Sequence, residues 1–392
     1  MIYLDHHSAS RPCAPALDRM APYLREQWGA SFAPHRFGQQ LLADCAPAYE
    51  TIYEAFRASR KETFVFTSSG AEAVAQVLWS VFLEVARKEG KSHFIASGLE
   101  DAPTMQNLKR LEELGCYVKI APVNAQGQID VEELSKLISP RTALISVTLA
   151  QGLTGVVQPI DEISKLAREK GVLLHADATY AVGKMDLSFS DLGIDYLTFS
   201  GDRIHSVKSS GGLFAKEGRP LVPLILGGTE QAGLKGGALD VPSLMALAAA
   251  LQQASLSLDT MGLEGVRLRD LLESEILRRF PDAKIWFSES LRLPNVSSLC
   301  FPGVHQEALL YYLSRKGIYA SMGGSYCQHL SRLLIASKIP EKEALSSLSF
   351  SLSRMTTEEE VLQAAKGICD AALRLRALSG VFWGISGVFH ES

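Results

Sequence analysis

Apolar runs rich in β-branched residues alternate with helical patterns along the first half of this chain of 392 residues. Runs that are apolar on both faces are typical of strands covered by helices on both sides. Such strands are predicted at 63–69, 93–97, 117–123, 142–149, 172–177 and 196–201, with helices between them at 71–88, 101–115 and 159–171. The alternation predicts an α/β domain built on a mostly parallel sheet.

The pattern changes after about residue 255. A long helical pattern, LEGVRLRDLLESEILRRF, precedes a strand candidate at 295–301, a helix in HQEALLYYLSRKG and a second strand candidate in IYAS. A further helix is predicted to begin with a capping box between Thr356 and Glu359. This mixture predicts a smaller α+β domain in the second part of the chain.

Charge and cysteine spacing argue against several classes of function. The formal net charge is −4 and no basic run is sustained, so we expect neither nucleic acid nor an anionic membrane as a partner. The longest apolar stretches are shorter than the ~20 residues of a membrane span, and the first residues lack a signal-peptide pattern. The six cysteines show no CxxC or zinc spacing, which favours reduced thiols and a cytoplasmic protein.

Ligands of open α/β sheets bind at the carboxyl ends of the strands, and four stretches meet that condition. Ser68, Ser69 and Gly70 lie between a strand and a helix, where backbone N–H groups can bind a phosphate. Asp177 ends an apolar strand and either binds a protonated heterocyclic nitrogen or caps the following turn. Ser200 ends the next strand, and the glycine-rich segment 226–241 is predicted to be a mobile loop that reaches the site.

These residues belong to a set of phrases that carries a resemblance over residues 2–378. The phrases, in chain order, are YLDHHSASRP, HRFG, FVFTSSGAEA, TGVVQPI, HADATYAVGK, FSGDRI and SLSRMTTEEE. The chain resembles the cysteine desulfurase family, the NifS/IscS-like branch of class V aminotransferases, which use pyridoxal 5'-phosphate. The resemblance implies fold type I: a large domain at 13–255 with a seven-stranded sheet, and a small α+β domain from 1–12 and 256–392. It also implies a homodimer.

The family's Schiff-base lysine lies in a Ser-Gly-His-Lys phrase, and this sequence has Ser200-Gly201-Asp202-Arg203. A guanidinium stays protonated because its pKa exceeds ~12, so Arg203 cannot supply a neutral amine to an aldehyde. Lys208 matches a different family lysine and could replace the missing amine only if the loop were rebuilt.

Other positions with a role in the family also differ. Asp101 replaces the histidine that stacks on the coenzyme ring, Gln151 lies near the position of the asparagine that binds the ring hydroxyl, and Tyr180 replaces a glutamine. Two phosphate-binding threonines and the arginine that binds the substrate carboxylate correspond to Ala71, Ala238 and Ser349. The resemblance makes eight residues candidates for cofactor binding: Ser68, Ser69, Gly70, Asp101, Gln151, Asp177, Tyr180 and Ser200. Of these, the Ser68–Gly70 turn, Asp177 and Ser200 keep the family pattern.

Cys327 matches the family's persulfide cysteine through the phrase Gly324-Ser325-Tyr326-Cys327. It is either a reactive thiolate or an unreactive loop thiol.

Three functions follow. The first is a desulfurase-like protein with weak or no activity, which binds pyridoxal phosphate non-covalently or not at all and acts as a scaffold or regulatory subunit, paired with itself or with an active relative. The second is an active pyridoxal-phosphate enzyme that uses Lys208 and Cys327. The third is a sulfur relay through Cys327, which would require a sulfur-acceptor protein as partner.

Overall fold

The structure is a computed structural model that describes residues 1–324 and 329–386, with side chains described as far as 378. The strands are β1 Ile2–Tyr3, β2 Thr63–Thr67, β3 His93–Ser97, β4 Tyr117–Ala121, β5 Thr142–Thr148, β6 Leu173–Asp177, β7 Tyr196–Ser200, β8 Gly211–Ala215, β9 Lys284–Ile285, β10 Val296–Cys300, β11 Ile318–Tyr319 and β12 Ser347–Ser351. The helices are α1 Ala14–Arg25, α2 Arg36–Ala55, α3 Gly70–Val81, α4 Arg87–Glu89, α5 Ala102–Glu113, α6 Val131–Leu137, α7 Ile160–Lys170, α8 Val241–Leu256, α9 Leu258–Arg279, α10 Gln306–Arg315, α11 Leu330–Ala336, α12 Glu341–Ala344 and α13 Glu358–Ser386.

A seven-stranded sheet in the order β2-β8-β7-β6-β5-β3-β4 forms the centre of the molecule. Strand β8 runs antiparallel to both of its neighbours, whereas the pairs from β7 to β4 are parallel. The six strands predicted in this region are all present, which confirms the α/β fold with a mostly parallel sheet.

Strand β8 was not predicted, because its sequence GGLFA begins with two glycines, which are rare in strands. Both glycines are required by close packing. A Cβ atom at Gly212 would lie 2.4 Å from the ring of Phe64, and one at Gly211 would lie 2.6 Å from the backbone of Ser69. The backbone of β8 therefore packs directly against the turn that follows β2.

The helix predicted at 71–88 begins at Gly70, with Ser69 as its N-cap, and continues through a π-helical turn at Phe82–Ala86 into α4. It ends at Gly90, which adopts the left-handed conformation with a φ of 74°. The capping box of α13 is displaced by one residue from the prediction. Thr357 and Glu360 exchange backbone hydrogen bonds of 3.2 and 2.9 Å, so the prediction of Thr356 and Glu359 was wrong.

A second hydrophobic core lies beside the antiparallel sheet β12-β10-β9. Phe301, Phe350 and Ile368 belong to it, and Leu4 joins it from the amino terminus. Strand β1 pairs in parallel with β11, so the first residues pack with the second half of the chain. The domain boundary at residue 255 stays a prediction, since Leu330 and Leu333 contribute to the core of the large sheet.

Ten of the sixteen residues of helix α8 are buried, and the helix packs against α1 and α2. In the part of the chain that the structure describes, no single helix has the length and apolar composition of a membrane span. Helices α8 and α9 meet that test only as a pair, which is bent by 67°.

Candidate active site

The carboxyl ends of β2, β6 and β7 meet at one edge of the sheet, as the sequence predicted. A Cβ atom placed on Gly70 would lie 3.1 Å from Cβ of Ser200 and 3.3 Å from Oγ1 of Thr179. Asp177 of β6 lies opposite Thr198 of the neighbouring strand β7, and Ser200 is two residues further along β7. The sheet therefore brings the Ser68–Gly70 turn, Asp177 and Ser200 together.

Glu72 binds the turn that was predicted to hold a phosphate. Both the backbone N–H and the hydroxyl of Ser68 donate to Oε2 of Glu72 over 2.6 Å, and Oγ of Ser69 accepts from the backbone N–H of Glu72 over 3.1 Å. Lys235 pairs with the same carboxylate at 2.9 Å. Among the described residues, the N–H groups of Gly70 and Ala71 have no acceptor, as is usual for a first helical turn.

A second carboxylate lies beside Ser200. The Ser200 hydroxyl donates to Oδ1 of Asp202 over 2.7 Å, and Oδ2 of Asp202 pairs with Arg203. The 3₁₀ segment Gly201–Arg203 follows β7 directly and brings these three side chains to the same end of the strand. Nε of Arg203 is buried without a hydrogen-bond partner.

Asp177 is buried, and its Oδ1 accepts from the backbone N–H of Thr179 over 3.0 Å, as an aspartate that caps a turn does. Burial raises the pKa of Asp177 to about 6, the charge of Asp101 adds to this, and hydrogen bonds from Thr179 and Thr198 lower it. No cation is among the main groups that shift this pKa. A protonated ring nitrogen would supply the missing positive charge, so both sequence interpretations of Asp177 remain open.

Tyr180 connects two of the positions that depart from the family pattern. Its hydroxyl donates to Oδ2 of Asp101 over 2.6 Å, and its ring lies against Gly152, where a Cβ atom would be 2.5 Å from the ring. Gln151 is turned towards the backbone, since its Oε1 accepts from the N–H of Leu153 over 2.5 Å and its Nε2 donates to the carbonyl of Leu99. Its role towards a ring hydroxyl stays a prediction.

A cavity of about 200 Å³ lies in front of these side chains, and we call it the main cleft. It is lined by His7, Ser8, Asp101, Leu153, Tyr180, Arg203, Gly323 and Gly324. Lys208 is exposed to solvent and does not line the main cleft. Cys327 lies outside the described residues, so its reactivity stays a prediction. No group of side chains within 1–324 and 329–386 has the arrangement of a metal site.

The sequence interpretation missed two titratable groups close to these residues. Lys184 ends the phrase HADATYAVGK, and its amine donates to the carbonyl of Arg203 over 2.9 Å. Burial and the neighbouring cations Arg203 and Arg354 lower its pKa to about 7. Glu100 is buried and accepts from Ser97 and from the N–H of Thr148, and burial raises its pKa to about 8. Spacing alone could not have revealed either shift, because both arise from packing.

Comparisons with known proteins match this architecture over almost the whole chain. The family model "Aminotransferase class-V" matches residues 2–363. A cysteine desulfurase of Nostoc sp. is 34% identical over 382 residues, covering 97% of this chain and 94% of the relative. One of Cereibacter sphaeroides is 33% identical over 384 residues, covering 96% and 97%. The chain belongs to the cysteine desulfurase family of class-V aminotransferases.

Solved structures agree with this membership. A NifS-like protein superposes with a TM-score of 0.88 at 29% identity, covering 94% of this chain and 98% of the other. DndA from Streptomyces lividans superposes with a TM-score of 0.74 at 27% identity, covering 89% and 99%. The resemblance stated from the sequence is therefore confirmed, and with it the dependence of the family on pyridoxal phosphate.

Proposed function

We propose that this member of the cysteine desulfurase family has weak or no desulfurase activity and acts as a scaffold or regulatory subunit. One observation carries the proposal. Arg203, a permanently charged side chain, lines the main cleft at the end of β7 together with Asp101 and Tyr180. A protonated guanidinium has no lone pair with which to attack an aldehyde, whereas the family reaction needs a primary amine there.

The phosphate end of the site supports the same proposal. The Ser68 amide and hydroxyl and the Ser200 hydroxyl, which would bind a phosphate, donate to the carboxylates of Glu72 and Asp202. A phosphate brought to this turn would have to displace both carboxylates from these donors, and the cations beside them, Lys235 and Arg203, are already paired with those carboxylates. The side chains present therefore do not fit a coenzyme held both by its phosphate and by a covalent bond, although Asp177 suits the ring nitrogen.

An active desulfurase is the second candidate function, and the names of the relatives favour it. In the form that uses Lys208 it needs that exposed side chain to enter the main cleft. A sulfur relay through Cys327 is the third. Its support is that Gly323 and Gly324, which precede Cys327 in the sequence, line the main cleft.

Experiments on one preparation of the purified chain distinguish the three functions. The protein is incubated with pyridoxal phosphate, passed through a desalting column, reduced with borohydride and mapped by peptide mass spectrometry. We expect no coenzyme absorbance after the column and no reduced adduct on any lysine. A reduced adduct on Lys208 or Lys184, with alanine released from cysteine, would establish the active enzyme instead. A separate portion is incubated with a persulfide donor and mapped without borohydride, which would cleave the persulfide S–S bond; a mass increase of one sulfur on Cys327 there would establish the relay.

We also propose that the protein works as a dimer, either with itself or with an active relative. Large apolar side chains are exposed on two segments at the surface, including Trp28, Phe32 and Leu226. Exposed apolar side chains of this size are a common feature of subunit interfaces. Sedimentation of the purified chain tests the homodimer, and a monomer at micromolar concentration would contradict it.

A further inference from the structure

A second cavity shares Arg203 with the main cleft as a lining residue. It is formed between the turn at 182–184, the segment at 203–205 and the segments around residues 6, 295 and 352–354. Five basic side chains line it, and we call this cavity the basic pocket: His6, Lys184, Arg203, His205 and Arg354.

Among the groups that shift the pKa of Lys184 in the basic pocket, two cations outnumber one carboxylate. Lys184, Arg203 and Arg354 are close enough for their charges to disfavour one another, and both Arg203 and Arg354 lower the pKa of Lys184. Asp202 is the one carboxylate among the groups that shift this pKa, and it already binds Ser200 and Arg203. Asp5 also interacts with Arg203 but accepts from Ser8, and its Oδ1 lies 3.3 Å from Nε2 of His7.

Several polar atoms of the basic pocket are buried without a hydrogen-bond partner. They are Nε of Arg203, Nη2 of Arg354, Nδ1 of His6 and Oδ1 of Asn295. The two arginine atoms can only donate, and His6 donates or accepts according to its tautomer. His6 is 9% exposed, so bulk water does not satisfy its ring nitrogen. Unpaired buried donors are costly, and a ligand that accepts hydrogen bonds would remove that cost.

The size of the cavity restricts the ligand. It has a volume of about 20 Å³, whereas about 10–15 Å³ is enough for one water molecule. Met261, Ser353 and Arg354 also line a neighbouring cavity of about 280 Å³ that is formed with α9 and the start of α13. We propose that the basic pocket binds a small monovalent anion of the size of chloride or bromide, held by Lys184, Arg354 and Nε of Arg203.

The test compares thermal unfolding of the full chain in potassium bromide and in potassium gluconate at equal ionic strength, since gluconate is too large for the pocket. Binding to the folded state raises Tm by mass action, and we expect a saturable increase of about 1–3 °C in bromide. Arg354→Gln should abolish the difference between the two salts. Arg278→Gln, which removes a surface arginine paired with Glu275, should retain it. An equal response to bromide in R354Q and in the unaltered protein would overturn the proposal.

Crystals of the unaltered protein soaked in bromide give a second readout that does not depend on how the variant folds. We expect an anomalous peak inside the basic pocket within hydrogen-bond distance of Lys184 and Arg354. A map without a peak there, in a crystal that shows bromide at surface sites, would also overturn the proposal. Neither result depends on pyridoxal phosphate, so this inference and the proposed function fail separately.

Discussion

The hydroxyl of Ser200 donates to the carboxylate of Asp202 two residues further along the chain, and the same carboxylate pairs with Arg203. Two replacements relative to the family phrase Ser-Gly-His-Lys thus support each other. The carboxylate neutralises the guanidinium, and together they engage a hydroxyl that would otherwise be available to a phosphate. The pair behaves as one unit, so we expect neither residue alone to restore coenzyme binding fully.

The first prediction concerns this unit. The double variant Asp202→His with Arg203→Lys supplies a primary amine and frees the Ser200 hydroxyl. We expect it to retain pyridoxal phosphate through a desalting column and to give a borohydride-stable adduct on residue 203. Arg203→Gln with Asp202→His is the matched control, which removes the guanidinium but provides no amine and should give no adduct. Failure of the lysine variant to form an adduct, with a native circular dichroism spectrum, would contradict our interpretation of Arg203.

The second prediction concerns the contact between Tyr180 and Gly152. A methyl group at residue 152 would lie 2.5 Å from the tyrosine ring, so Gly152→Ala should lower the free energy of unfolding by about 1–3 kcal/mol. Gly262→Ala is the control, because that helical glycine has open space around it and alanine should stabilise α9 by about 0.5–1 kcal/mol. Urea unfolding measures both. If Gly152→Ala lowers the free energy of unfolding equally in a Tyr180→Ala background, contact with the tyrosine ring is not the cause of the destabilisation.

The sequence predicted the fold well where the signal is local and repeated. The strands that end at Asp177 and Ser200 are long apolar runs, and their order fixes which side chains share one edge of a parallel sheet. The sequence did not predict β8. Gly211 and Gly212 have low strand propensity, and both are needed because Ser69 and Phe64 pack too closely against them for a side chain. The predicted capping box of α13 was also displaced by one residue, because Thr356 and Thr357 are each followed three residues later by a glutamate.

The site was predicted less completely, because its electrostatics depend on packing between distant segments. His175 is buried, and its two ring nitrogens contact the hydroxyls of Ser146 and Thr198 on neighbouring strands. Lys184 and Arg354, which are 170 residues apart in the sequence, become neighbours only through the fold. No periodicity or motif spacing could have placed these two cations together.

The third prediction concerns the glycine-rich segment 226–241, which the sequence indicated to be a mobile loop. Gln231 accepts from the N–H of Phe66 over 2.7 Å and donates to its carbonyl over 2.9 Å, which covers β2 at the edge of the sheet. Gln231→Ala should therefore release the segment and accelerate tryptic cleavage at Lys235 several-fold. Gln39→Ala, which removes an exposed hydrogen bond elsewhere, is the control. Equal cleavage rates in both variants would show that Gln231 does not hold the segment.

The fourth prediction concerns the buried carboxyl of Glu100, whose pKa is raised from 4.5 to about 8 by burial. A carboxyl with a raised pKa binds its proton more tightly in the folded state than in the unfolded state. The stability that it contributes is fully present below the unfolded pKa of 4.5 and is lost as the pH rises through about 8. Within that window, this single group should lower the free energy of unfolding by up to about 1.4 kcal/mol per pH unit.

Glu100→Gln isolates this contribution, because glutamine imitates the protonated acid and keeps an oxygen that accepts from Ser97 and from the N–H of Thr148. The difference in unfolding free energy between variant and unaltered protein should move in favour of the variant as the pH rises from about 5 to about 8. Groups such as His175, which are present in both proteins, cancel in that difference. Glu132→Gln, at an exposed position, should show no such trend. If the difference in unfolding free energy stays constant with pH, Glu100 is ionised in the folded protein. Glu100 would then add a negative charge beside Asp101 and Asp177.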